Sequence, residues 1–344
     1  MKFIETSYRE FVDSVMYSDS RIAEIINHVN PDVIVQDNYV CYPSIAKSGK
    51  PSVLLFSANP LALFSNSELP PPYFGLPLND STEWEQCDKI LKETLLKSWQ
   101  NFNKWVIEKG APSLPPFKFQ YISKHLNVYV YPKSLVEDYA RFANLGPEFI
   151  GLDHTITTTP QKFEIPASLK ALPGKLILFS LGSMASSDIE LTKRLVAIMS
   201  KSKHRFIVSK GQDSDKYELP SNMWGEPRIP QMDILPLVDL FITHGGNNSF
   251  VESLYCGKPM IILPIFMDQH DNAQRAVEMK IGIKLNPFTV EEHVLLEAID
   301  KLVNDASVAE RINKISELMR KSSSMDLVIE RIERIAQTSQ IPSI

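Results

Sequence analysis

The sequence predicts an α/β protein built from two open, parallel-stranded sheets. Three observations lead there. Apolar runs of four or five residues, bounded by turn residues, alternate with segments of helical periodicity. That alternation occurs twice, and a Thr- and Pro-rich stretch without sustained periodicity, His154 to Lys175, separates the two halves. The chain has 344 residues, enough for two domains. The expected boundaries are a first domain 1–153, a linker 154–175, a second domain 176–325, and a C-terminal helix in 326–344 that packs back on the first domain.

The elements follow in order. Ile22, Ile25, Ile26 and Val29 recur at helical spacing, and Pro31–Asp37 reads as a buried strand ending in an acid. Tyr42 to Ser48 is a short helix and Pro51–Ser57 the next strand. Thr82-Glu-Trp-Glu85 has the form of a capping box, and the helix behind it carries Trp84, Cys87, Leu91, Leu95, Phe102 and Val106 on one stripe. Asn127–Tyr131 and Glu148–Gly151 complete the first sheet. In the second half, Leu176–Leu181, His204–Val208, Leu240–Thr243, Pro259–Leu263 and Ile281–Lys284 read as strands. Helices are expected over Ser187–Ser200, Ser249–Tyr255, Asp271–Lys280, Val290–Val303 and Asp326–Ala336, with Gly257 ending the second of these.

Composition narrows the function classes. Hydrophobic content of 44% and charged content of 22% are those of a globular protein. A net charge of −5 argues against a nucleic-acid or anionic-membrane surface. Three unpaired cysteines, Cys41, Cys87 and Cys256, read as buried thiols in a reducing compartment. Met1–Glu10 lacks the apolar core of a signal peptide, and no apolar run approaches the roughly 18 residues of a membrane span. A cytoplasmic protein is expected.

The chemistry concentrates in Phe241-Ile-Thr-His-Gly-Gly-Asn-Asn-Ser249. His244 follows a strand and precedes two glycines that permit close backbone approach. Asn248 and Ser249 stand at a helix start, where free N–H groups and the helix dipole favour phosphate. Glu252, three residues after Ser249, stays near that pocket and suits the vicinal diol of a ribose; taken alone, it reads first as an acid favoured by the helix dipole. Leu181-Gly-Ser-Met184 is a small-residue turn that could bring Ser183 to a phosphate. Asp268 and Gln269, after the Pro259–Leu263 strand, belong at the same sheet edge and suit sugar hydroxyls. The acid pair in Asp213-Ser-Asp215 is of the type that holds manganese, but it lies in a polar loop away from these motifs, and no metal is expected. No Gly-x-Gly-x-x-Gly opens either half, which argues against a dinucleotide dehydrogenase.

Trp224-Gly-Glu-Pro-Arg-Ile-Pro-Gln231, Phe241 to Glu252, and Gly257-Lys-Pro-Met through Asp268-Gln-His-Asp-Asn272 together resemble the signature of the UDP-glycosyltransferases. The resemblance implies a GT-B fold of two facing Rossmann-like domains. It implies inverting, metal-independent transfer of a hexosyl group from a UDP-sugar to a hydroxyl of a small lipophilic acceptor, as in xenobiotic conjugation, with no cofactor beyond the donor. It assigns His244 to the diphosphate, with Ser183, Asn248 and Ser249 adding phosphate bonds. Glu252 takes the ribose, helped by Gln231, Asp268 and Gln269 take the donor sugar, and Ile229 offers backbone atoms to the uracil edge. The chain departs from the family pattern at Arg228, where an aromatic is usual; a guanidinium plane can also stack on a base.

Asp37 matches the acid that orients the family's catalytic histidine, which takes the acceptor's proton. The lesser reading is a strand-end acid that bonds backbone. Only 36 residues precede Asp37, and His28, the sole histidine among them, sits in the wrong place for that base. At about 30 residues per βα unit, about 80–100 residues of the first sheet are missing relative to the family. The expectation is therefore a truncated acceptor domain, and the alternative function is a catalytically inactive protein that binds UDP-sugar or a partner.

Overall fold

The computed structural model describes residues 1–64, 66–156, 162–182 and 188–338. The chain divides into two compact units. The first comprises Met1–Pro71, Leu78–Asp153 and the chain from Ser323 onward; the second comprises Pro72–Pro77 and His154–Ser322.

The first unit holds a four-stranded parallel sheet in chain order: β1 (Ile34–Asp37), β2 (Ser52–Phe56), β3 (Leu126–Val130) and β4 (Phe149–Leu152). Helix Lys2–Val29 is far longer than the Arg21–Val29 stretch expected from periodicity; it buries Ile4, Tyr8, Val12, Val15 and Ile26. Asn30 ends it in the left-handed region, its N–H donating to the Ile26 carbonyl, and Pro31 prevents continuation. Helix Trp84–Glu108 buries Leu91, Leu95, Phe102 and Val106. Its expected capping box does not form. Asp80 Oδ1 accepts both the N–H (3.0 Å) and the hydroxyl (2.6 Å) of Thr82, so a local Asx turn takes the group that would have capped the helix. Helix Ser324–Thr338 packs Val328 and Ile335 into the apolar cluster of Val53, Leu126, Val128, Val130 and Leu152. Its start is pinned by Asp153 N–H donating to Ser324 Oγ at 3.0 Å.

The second unit holds six parallel strands in the order β10-β9-β8-β5-β6-β7. These are β5 (Leu176–Ser180), β6 (Arg205–Ser209), β7 (Met223–Glu226), β8 (Leu240–Thr243), β9 (Met260–Ile262) and β10 (Gly282–Lys284). Every residue of β5, β8 and β9 is buried, as a sheet covered on both faces requires. The chain runs outward from β5 through β6 to β7, then returns to lay β8 on the other side of β5. The strand order thus reverses between β5 and β8, whose ends pair as Ser180 with Thr243. In open α/β sheets this switch point, at the strand C-termini, is where ligands bind.

Two boundaries differ from expectation. Pro72–Pro77, expected in the first domain, belongs to the second unit because its backbone is hydrogen-bonded to Asp271. Within the expected linker, helix Ala167–Lys170 buries Leu169 completely, and the Leu169 carbonyl accepts from Arg205 at 2.7 Å. Cys41, Cys87 and Cys256 are all free thiols, with Cys41 fully buried. Among the described residues, no helix is long and apolar enough to cross a membrane.

Candidate functional site

The site begins where β5 and β8 end together. Gly182 follows β5 at φ +73°, and a Cβ there would stand 2.5 Å from Cε1 and 2.7 Å from Nε2 of His244. A Cβ on Gly246 would stand 2.5 Å from the same Nε2. The imidazole therefore lies between two glycines that leave room for it. Gly245, at φ +85°, is free of a Cβ that would meet Ile262 at 2.5 Å. The glycines thus serve first to seat the histidine and the turn, a tighter role than the general ligand access read from sequence.

His244 bonds the Ser180 backbone, and burial pushes its pKa down to about 4. It is neutral near pH 7. Thr243 Oγ1 lies 3.4 Å from its Nδ1 and accepts the Gly245 N–H at 3.3 Å. Helix Asn247–Tyr255 starts one residue after Gly246, which has no side chain to cap it. The first turn of a helix has amides without intrahelical carbonyl partners, which makes this helix start a ready anion site beside the imidazole. Asn248 is exposed and Ser249 half-buried in that turn.

Across from it, helix Gln231–Ile234 places Gln231 at its first position. Gln231 Nε2 donates to Glu252 Oε2 at 2.6 Å and to Ser249 Oγ at 3.1 Å, so three residues predicted from scattered positions meet in one cluster. Burial raises the Glu252 pKa, and the Gln231 bond opposes that rise. Arg228 is exposed and Ile229 half-buried in the loop between β7 and Gln231.

At the next strand end, Asp268 and Gln269 are buried at the start of helix Gln269–Glu278. Gln269 Oε1 accepts the N–H groups of Ile265 (2.9 Å) and Phe266 (3.1 Å). Its carbonyl thus shapes the loop, which leaves its amide NH2 as the group able to reach a sugar hydroxyl. Asn272, not singled out from sequence, donates to the Gly245 carbonyl at 2.9 Å and ties this helix to the histidine turn. Asp271, buried two residues from Gln269, was also missed.

Ser183 lies outside the described residues. Asp37, in the first unit, is exposed at the end of β1, where its carboxylate accepts from Ser57 Oγ at 2.5 Å and Ser57 N at 3.4 Å. His28 is exposed in the last turn of the first helix. Asp213 pairs with Lys216 at 2.7 Å. Among the described residues, no group of three or more His, Cys, Asp or Glu could hold a metal ion.

The family model for UDP-glucoronosyl and UDP-glucosyl transferase matches residues 89–334. The chain belongs to this family. It is 27% identical over 328 residues to human UDP-glucuronosyltransferase 1A1, covering 90% of this chain and 61% of that protein. It is 25% identical over 267 residues to the uncharacterized UDP-glucosyltransferase YdhE of Bacillus subtilis (strain 168), covering 77% of this chain and 63% of that protein. The chain thus spans about three fifths of the length of these two relatives. Among solved structures, the glycotransferase of kitacinnamycin superposes with a TM-score of 0.73 at 21% identity, covering 95% of this chain and 83% of that one. That likeness is one of fold, and the two sheet units are Rossmann-like as the family resemblance implied.

Proposed function

We propose that this chain binds a UDP-sugar in its second unit and transfers the hexosyl group to a hydroxyl of a small lipophilic acceptor. The observation that carries the reading is the switch-point cluster: His244 seated between Gly182 and Gly246, the uncapped start of helix Asn247–Tyr255, and Gln231 joined to Ser249 and Glu252. The helix start and His244 hold the diphosphate, with Ser183, Asn248 and Ser249 adding hydroxyl and amide bonds. Glu252, oriented by Gln231, takes the ribose hydroxyls. Ile229 meets the uracil edge, and Arg228 stacks on its face. Asp268 and the amide of Gln269 hold the sugar.

The acceptor oxygen attacks the anomeric carbon from the side opposite the leaving UDP, so configuration inverts. Negative charge developing on the diphosphate meets the helix N-terminus, and the scheme needs no metal. Asp37 takes part in activating the acceptor. Incubation with a UDP-sugar panel and phenolic acceptors, followed by mass spectrometry, tests this: a hexose mass gain with UDP release, insensitive to chelator, is expected. A second reading is a UDP-sugar-binding protein without turnover. It is favoured by Asp37, whose carboxylate is bonded by Ser57 and, among the described residues, by no histidine. UDP-sugar binding without product would decide for it.

A further inference from the structure

The segment Tyr73–Gly75 is held in the second unit by the side chains of Asp271 and Lys284. Asp271, 2% exposed, accepts the Tyr73 N–H through Oδ2 at 2.7 Å and the Gly75 N–H through Oδ1 at 3.0 Å. Both partners are left-handed, Tyr73 at φ +78° and Gly75 at φ +61°. A tyrosine in that region is strained and persists only where its surroundings over-determine it. Gly75 also packs directly on the helix, since a Cβ there would stand 2.4 Å from the His270 carbonyl oxygen. From the end of β10, Lys284 Nζ donates to the Gly75 carbonyl at 3.0 Å. The strap therefore touches the backbone one residue from Gln269 and is fixed by the carboxylate two residues beyond it.

We propose that Asp271 is a positioning residue whose carboxylate clasps the Tyr73–Gly75 strap onto the helix that presents Asp268 and Gln269, and that the strap sets which donor sugar the site accepts. The inference rests on the donor-site reading above. A carboxylate is the group the geometry requires, because it offers two acceptors to two converging amides. An asparagine would accept one and face the other with its own NH2. Burial raises the Asp271 carboxyl to about 7 despite both amides, so the clasp holds an acid where isolated burial would cost most. The Asp271 carboxylate bonds the strap amides and, among the described residues, neither His244 nor Glu252.

The test compares wild type with Asp271→Asn by calorimetric titration of UDP, UDP-glucose, UDP-glucuronic acid and UDP-galactose. Asp271→Asn should bind UDP within about twofold of wild type, lose about tenfold on the sugar donor that wild type prefers, and flatten the ranking among the three. Donor KM should rise with it. An unchanged ranking overturns the clasp, and so does an equal loss on UDP and on every UDP-sugar. Should Asp271→Asn fail to fold, Gly75→Ala disturbs the same contact from the strap side, and the same outcomes decide. Wild-type protein that binds none of the four overturns the donor-site reading and this inference with it; wild-type binding beside an unaltered variant overturns the clasp alone.

Discussion

Seating His244 between Gly182 and Gly246 makes the fold depend on pH in a calculable way. In an unfolded chain a histidine titrates near about 6.5. In the folded protein, burial lowers that value to about 4. Between the two, the unfolded state binds more protons, so stability rises with pH. The contribution is fully present above the unfolded value and is lost as pH falls through about 6.5 toward 4. Going from about pH 7.5 to about pH 5 should cost about 2 kcal/mol through this group alone, trimmed somewhat by its partial exposure. Asp271 works in the opposite sense, because its folded pKa is raised to about 7. It is present in both wild type and a His244→Gln variant, so it cancels in their comparison. Urea unfolding of the two proteins at both pH values reads the difference of differences. Wild type should lose about 2 kcal/mol more than His244→Gln on acidification. Equal losses would refute the claim that the imidazole is held neutral by its seat.

Other outcomes follow from the same geometry. Gly182→Ala puts a Cβ 2.5 Å from the His244 ring at a residue with φ +73°; it should cost about 1–3 kcal/mol of stability and abolish measurable UDP binding in the same titration. Asn272→Ala removes the buried bond to the Gly245 carbonyl and should cost about 1–3 kcal/mol by urea unfolding, with weaker UDP binding through the displaced turn. Ile335→Ala, in the C-terminal helix that completes the first unit's core, should cost about 2–5 kcal/mol, read as a lowered denaturation midpoint.

Much of the architecture was legible because buried parallel strands are written as short apolar runs. Leu240–Thr243 and Leu176–Ser180 stand where such runs stand. Residues with weaker local signals were not found. Helix Lys2–Val29 starts among polar residues, and its buried positions are spread along 28 residues. Strand β7 contains Trp224-Gly-Glu226, which carries no alternation or continuous apolar run. Helices Lys133–Ala143 and Ala306–Arg320 are amphipathic yet were unread, the second despite Asp305 capping it through Ser307 and Val308.

The site divides the same way. His244, Ser249, Glu252 and Gln231 lie in compact motifs, and the structure brings the last three into one hydrogen-bonded cluster. Asp271 and Asn272 sit inside the same motif but act on distant backbone. The bond from Tyr73 to Asp271 spans 198 positions, a separation no local pattern reports.

The central claim, that the switch point of the second unit is a UDP site, is tested most directly by titrating UDP into wild type and Glu252→Ala. Wild type should show saturable one-to-one binding. Removing the carboxylate that Gln231 orients should weaken it by about 2 kcal/mol, or about 30-fold. Absence of saturable binding to wild type, or equal affinity in Glu252→Ala, would contradict the account.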